Sequence, residues 1–214
     1  MAAVRLAGAA VLTLRTRMRE HTAQAHELLE ATPLMRALAG GTPSVGEYRD
    51  YLARQFRLHA PFESALTTWV PPDWAKHRLV KAQWLRSDLL ATGGGVDDRH
   101  VEVPAVASAA DALGVLYVLE GGTLGMQAVR KRFQQDHPAL NSGGRFMRGY
   151  GPDTSRFWRA FVDQLELLPT QAWRQATDAA SGAFAAFHRL FQETGAAQPY
   201  MKSACALAAQ ECMH

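Results

Sequence analysis

The stretch EGGTLGMQ, residues 120–127, sets Gly121, Gly122 and Gly125 inside a run whose flanks, 109–119 and 128–133, read as helix. A glycine inside a helix costs roughly 1 kcal/mol against alanine, so the missing side chains must serve some other end. On a helical wheel Leu113, Tyr117, Gly121, Gly125 and Ala128 share one face. The neighbouring face, with Val115, Leu119, Gly122, Met126 and Val129, is apolar as well. A helix apolar nearly all round is a central, buried one. Its bare face has three readings: a floor for something flat or bulky, a close crossing of two helices, or a kink. Kink and ligand face are compatible, because a bent helix can follow the outline of a flat molecule.

Working outward, the punctuation divides the rest of the chain into helices. A first helix is predicted over 14–38, broken near Pro33 and stopped at Gly40 and Gly41. Ser44 and Glu47 have the S-x-x-E form of a capping box and open a second helix, in which Pro61 marks a kink or junction. Pro71, Pro72 and Asp73 start a third that ends at Gly93–Gly95, and 97–104 is a polar loop. Ser108 and Asp111 cap the glycine helix, which is expected to reach His137 and Pro138. After a loop over 141–152, helices follow over 154–168 and 170–193. No segment alternates like a strand and no repeat appears. The expectation is an all-α fold: one helical domain over 14–197 between a tail at 1–13 and another at 198–214.

The 214 residues suffice for one domain with a real core. With 48% hydrophobic and 20% charged residues, the composition excludes a disordered chain. A net charge of +3 suits a small anionic ligand or an acidic partner, and no nucleic-acid-reading motif accompanies it. Cys205 and Cys212 both lie in the last ten residues and cannot staple a domain, which points to a reducing compartment, the cytoplasm. The apolar run 6–14 leads straight into Arg15, Arg17 and Arg19 without a cleavage site. No stretch approaches the ~18 apolar residues of a membrane span.

Eight histidines are present. His26 shares the inner stripe of the first helix with Met18, Thr22 and Leu29. Arg19 stands two turns earlier on the same face, about 10 Å away along the axis. An imidazole for a metal and a guanidinium for a carboxylate at that separation suit an iron porphyrin with propionates. Taken singly, each has a plainer reading, a satisfied core histidine and a solvated arginine. His59, beside Pro61, reads as structural; His21, His77, His100, His137 and His214 as surface or loop; His188 as interior without an evident partner. Paired Glu-x-x-His motifs for di-iron and a G-x-S-x-G turn for a serine nucleophile are both absent.

With these residues in hand, the chain resembles the haem oxygenase family, nearest to the bacterial, biliverdin-producing enzymes associated with bacterial phytochromes. The resemblance spans about 14–195 and rests on LRTRMREHTAQAHELLE (14–30), GVLYVLEGGTLGMQAV (114–129) and FMRGYGPDTSRFWRAFVDQLE (146–166). It implies a helical bundle holding haem between a proximal helix and a kinked distal helix. It implies that His26 is the proximal iron ligand and that Gly121, Gly122 and Gly125 form the distal backbone and oxygen pocket. Arg19 and Arg159 match positions that hold propionates, and Tyr117 and Met126 are placed in the pocket. Haem would be cofactor and substrate at once, cleaved to biliverdin, CO and ferrous iron. Dioxygen is required, with electrons from an external donor of ferredoxin or reductase type, or from ascorbate in vitro, and a bacteriophytochrome is a candidate acceptor of the product.

Two positions depart from the family pattern. Gly122 stands where relatives carry a small polar residue or an aspartate, and Met126 where they carry a second glycine. At about 100° from Gly125 on the wheel, Met126 either points into the bundle as core filler or intrudes on the pocket, where its sulfur would reach the iron. These departures motivate an alternative of another class, a haem- or bilin-binding carrier or sensor without turnover. A thiaminase-type enzyme on a related scaffold ranks last, since it needs a core cysteine nucleophile.

Overall fold

In the computed structural model, residues 13–97, 99, 101–133 and 143–193 are described. The expected tails, Cys205 and Cys212, and His100, His137 and His214 lie outside them. Nine α-helices occur among the described residues: α1 (Leu14–Glu30), α2 (Pro33–Ala39), α3 (Val45–Leu66), α4 (Pro72–Arg78), α5 (Lys81–Ala91), α6 (Ala109–Arg130), α7 (Arg145–Arg148), α8 (Thr154–Leu165) and α9 (Trp173–Gln192). Single 3-10 turns precede α8 and α9. No strand occurs among the described residues, so the all-α expectation holds.

Local chemistry accounts for most helix starts. Ser44 Oγ accepts from Glu47 N while Glu47 Oε2 accepts from Ser44 N, the reciprocal capping box read from the sequence. Ser108 Oγ accepts from Asp111 N at the start of α6. The N-terminus of α1 is capped twice, by Thr13 Oγ1 and by Glu166 at the end of α8, whose oxygens accept from Leu14 N and Arg15 N at 3.0 and 2.9 Å. Pro61 does not end α3, which continues to Leu66.

Three expectations need correction. The glycine helix, expected to reach His137 and Pro138, ends at Arg130 and passes into a turn over 131–133. The single helix predicted between Pro72 and Gly93 is split into α4 and α5 at Leu79 and Val80. Glu63 of α3 causes a fresh start there: its Oε1 accepts from both Lys81 N and Ala82 N, supplying two of the donors a new helix leaves unsatisfied. The loop predicted over 141–152 contains α7. Asp88 of α5 accepts from Arg145 N and Phe146 N, and so caps that short helix from outside.

The glycine helix α6 lies at the centre, with α9 along one side and α8, α7 and α3 around it. It alone among the described helices has the length and apolarity to cross a membrane, but half of its apolar window is buried in the bundle, as befits a core helix. Helix α9 packs along both α6 and α1, whereas α1 and α6 share no extensive seam. The close approach of α6 and α9 is made at Gly114. A Cβ there would lie 2.2 Å from Ala176 O and 2.8 Å from Ala179 Cβ. Helices α1 and α6 thus both pack on α9 with little direct contact between them, and open space lies beside the 121–125 segment of α6.

Candidate functional site

The glycines that opened the question are not packing glycines. A Cβ on Gly121 would meet only the Trp158 ring edge at 3.8 Å, which is ordinary contact, and one on Gly122 or Gly125 would meet nothing within 4 Å. Gly122 and Gly125 are exposed although they belong to the most apolar helix of the bundle. The close-crossing reading thus applies to Gly114 alone. The 121–125 segment offers two turns of bare backbone to open space, and α6 stays helical through all three glycines.

His26 stands on α1, which packs on α9 as α6 does. Its side chain is 54% exposed, so it is not the satisfied core histidine of the plainer reading. The ring meets buried Phe184 of α9 edge-on, with centroids 5.7 Å apart. Its Nδ1 lies 3.5 Å from Glu30 Oε2, one turn along α1. A carboxylate at Nδ1 orients the ring and favours the tautomer whose Nε2 is a free electron-pair donor, the usual support for a metal-binding imidazole. Among the described residues Nε2 has no hydrogen-bond partner.

Tyr117 lies one turn before Gly121 on α6, its ring 5.9 Å from that of Trp158 between centroids. Burial raises the phenol pKa, and Thr22, Arg15 and Arg19 of α1 act in the opposite direction, so the phenol feels the positive charge of the first turns of α1. Arg159 follows Trp158 on α8 and is exposed. No bond among the described residues ties it to the other candidates.

Met126 does not line the space, which corrects its placement in the pocket. It is buried, and its Sδ accepts from the hydroxyl of fully buried Tyr51 on α3 at 3.0 Å. The 100° step from Gly125 carries the side chain into the core, where sulfur fills space and takes a weak hydrogen bond. The thioether is thus kept from any ligand lying on Gly125.

Several partners were not assigned from sequence. Glu30, four residues after His26, was within reach of helical spacing; Phe184 and Trp158 depend on tertiary packing. Least visible was the anchor of the glycine segment. Glu120, 2% exposed, receives Arg78 Nη1 at 2.9 Å, Lys81 Nζ at 2.8 Å and the Tyr150 hydroxyl at 2.8 Å. Burial works to lower the Lys81 pKa, but Glu120 and Tyr150 outweigh it and hold the ammonium charged. Gln127 donates to Arg148 O at 2.8 Å, so both ends of EGGTLGMQ are bonded to the 148–150 turn. His59 is buried, its pKa lowered to about 3 by burial and then by Lys81, with Nδ1 on Gln55 O at 3.0 Å. It is a neutral core residue, in line with the structural role read for it.

Comparison with known proteins identifies a family and a fold. The family model for heme oxygenase matches residues 12–193. A heme oxygenase of Xanthomonas campestris pv. campestris (strain 8004) is 34% identical over 162 residues, covering 72% of this chain and 94% of that protein. Two solved structures share the fold. One is the heme oxygenase of Leptospira interrogans, with TM-score 0.65 and 18% identity over 85% of this chain and 99% of that one. The other is heme oxygenase-1 of the cyanobacterium Synechocystis sp. PCC6803 in complex with heme, with TM-score 0.63 and 17% identity over 84% and 91% of the two chains.

Proposed function

The chain belongs to the haem oxygenase family, and from its site we propose that it binds haem between α1 and α6 and cleaves it oxidatively to biliverdin, CO and ferrous iron. The observation that carries this reading is the bare backbone at Gly121, Gly122 and Gly125. It faces open space, while the α6 glycine that packing on α9 requires is Gly114, and the exposed His26 stands on α1, which also packs on α9.

The residues fit the group. His26, with Nδ1 turned to Glu30, would hold the iron through Nε2. Arg19 and Tyr117 are assigned to one propionate, and Arg159 to the second. Gly121 and Gly125 would let a flat macrocycle approach the α6 backbone without meeting a side chain from those positions. Gly122 brings no carboxylate to that side. When bound, haem supplies both the iron that engages dioxygen and the ring that is oxidised; the chain's own part is to orient, to exclude side chains and to hold water. Electrons come from an external donor of ferredoxin or reductase type. A cytoplasmic setting, with a bilin-using photoreceptor as product acceptor, belongs to the same proposal.

The test is haemin titration followed by aerobic reduction with ascorbate or a reductase. A one-to-one Soret complex that decays to a biliverdin spectrum is expected. A Soret band that persists under reduction would leave a carrier rather than an oxygenase.

A further inference from the structure

Away from the α1–α6 space, a second depression of about 500 Å³ opens where α4, α5, α7 and α8 meet. Its walls carry Lys76, His77, Arg145 and Arg148 beside Trp84 and Phe157, and the 149–151 turn forms one side. No carboxylate lines it among the described residues. We propose that this depression binds a small organic polyanion, one bearing phosphate or carboxylate groups.

The nearby acids bond to other groups and none stands in the walls of the depression, although the Asp88 carboxylate acts on Arg145 and Arg148 from outside that lining. Asp73 pairs with Lys76 at 2.8 Å on the outer rim, and Asp153 pairs with Arg156 at 3.1 Å. Asp88 is occupied by the two amides that start α7, and Glu120 by Arg78 and Lys81 beneath the surface. The positive charge therefore rests on Arg145 and Arg148.

Arg145 is preorganised. Its guanidinium lies 3.6 Å above the Trp84 ring and donates to Gly149 O, so its fork is held in place before a ligand arrives. A fixed planar donor binds an oxyanion with little further loss of side-chain freedom. Burial and then the neighbouring Arg148 depress the Arg145 pKa, a like-charge strain that an anion between the two would relieve. Arg148 is exposed and free to swing onto a bound group. The volume suits a metabolite-sized ligand rather than a bare ion. A single concave site on a chain of net charge +3 does not suit a nucleic-acid track, which needs a row of phosphate contacts.

The experiment is isothermal titration of the haem-loaded protein at low ionic strength, with pyrophosphate as phosphate probe and citrate as carboxylate probe. Haem loading keeps the arginines of the first site occupied. Saturable one-to-one binding of either probe is expected, and which one binds tells phosphate from carboxylate recognition. Arg148→Gln should weaken it at least tenfold, with partial recovery in Arg148→Lys. Arg17→Gln, an equal charge change on the exposed face of α1, should leave it unaltered. Absence of saturable heat with both probes would overturn the proposal, and so would equal weakening by Arg17→Gln and Arg148→Gln.

Discussion

One substitution, made at two glycines of the same helix, separates packing from ligand binding. Gly→Ala in a helix interior is worth about 0.5–1 kcal/mol of added stability when the new methyl group meets nothing. At Gly125 nothing lies within 4 Å of the added Cβ, so the haem-free Gly125→Ala protein should gain that amount. For a chain of this size the melting temperature should rise by roughly 1–4 °C. At Gly114 the added Cβ would sit 2.2 Å from Ala176 O and 3.0 Å from Ala180 N. These are backbone atoms, and relief requires moving α9 from α6. Overpacking costs about 1–3 kcal/mol, which offsets the helical gain and leaves Gly114→Ala less stable, with a melt several degrees lower. Haemin binding should reverse the order: Gly114→Ala should bind nearly as wild type where folded. Gly125→Ala should lose roughly 5- to 150-fold in affinity, the same 1–3 kcal/mol spent on a methyl group between backbone and ring. Circular dichroism melts and haemin titrations on both variants measure this. Destabilisation of Gly125→Ala comparable to that of Gly114→Ala would refute the reasoning.

Further outcomes follow from the same structure. His26→Ala should lose the histidine-ligated haem spectrum and regain it on addition of imidazole; unchanged spectra would assign the axial ligand elsewhere. Glu120→Ala leaves Arg78 and Lys81 buried without their carboxylate and should cost about 3–5 kcal/mol in urea unfolding; a loss below ~1 kcal/mol would mean the anchor is dispensable. Burial, opposed by the amides of Ala82 and Lys81, raises the Glu63 pKa to about 7. Because the folded protein holds this proton more tightly than the unfolded chain does, Glu63 contributes stability that is present below about pH 4.5 and lost as pH rises through about 7. Glu63→Gln, which keeps an acceptor for both amides, should therefore gain on wild type by more at pH 8 than at pH 5. A difference independent of pH would contradict the assignment.

Much of this was legible in the sequence because the signals were local. The Ser44–Glu47 box, the Ser108 cap and the apolar period of α6 are decided within a turn or two of chain. The His26 stripe and the glycine run likewise announced the two helices that matter. What escaped reading was set by contacts distant in sequence. The break between α4 and α5 depends on Glu63, and α7 depends on Asp88. Gly114 looks like any glycine until α9 lies on it, and the side to which Met126 turns is decided by Tyr51. Glu120 stood inside the quoted motif, yet its role needed Arg78, Lys81 and Tyr150, gathered from three other segments.

The most direct test of the central claim is a crystal structure of the haemin complex. The account predicts iron bonded to His26 Nε2 with the α6 backbone at Gly121 and Gly125 against the opposite face of the ring. Haem seated in the Lys76–Arg148 depression, or held by any axial residue other than His26, would contradict it.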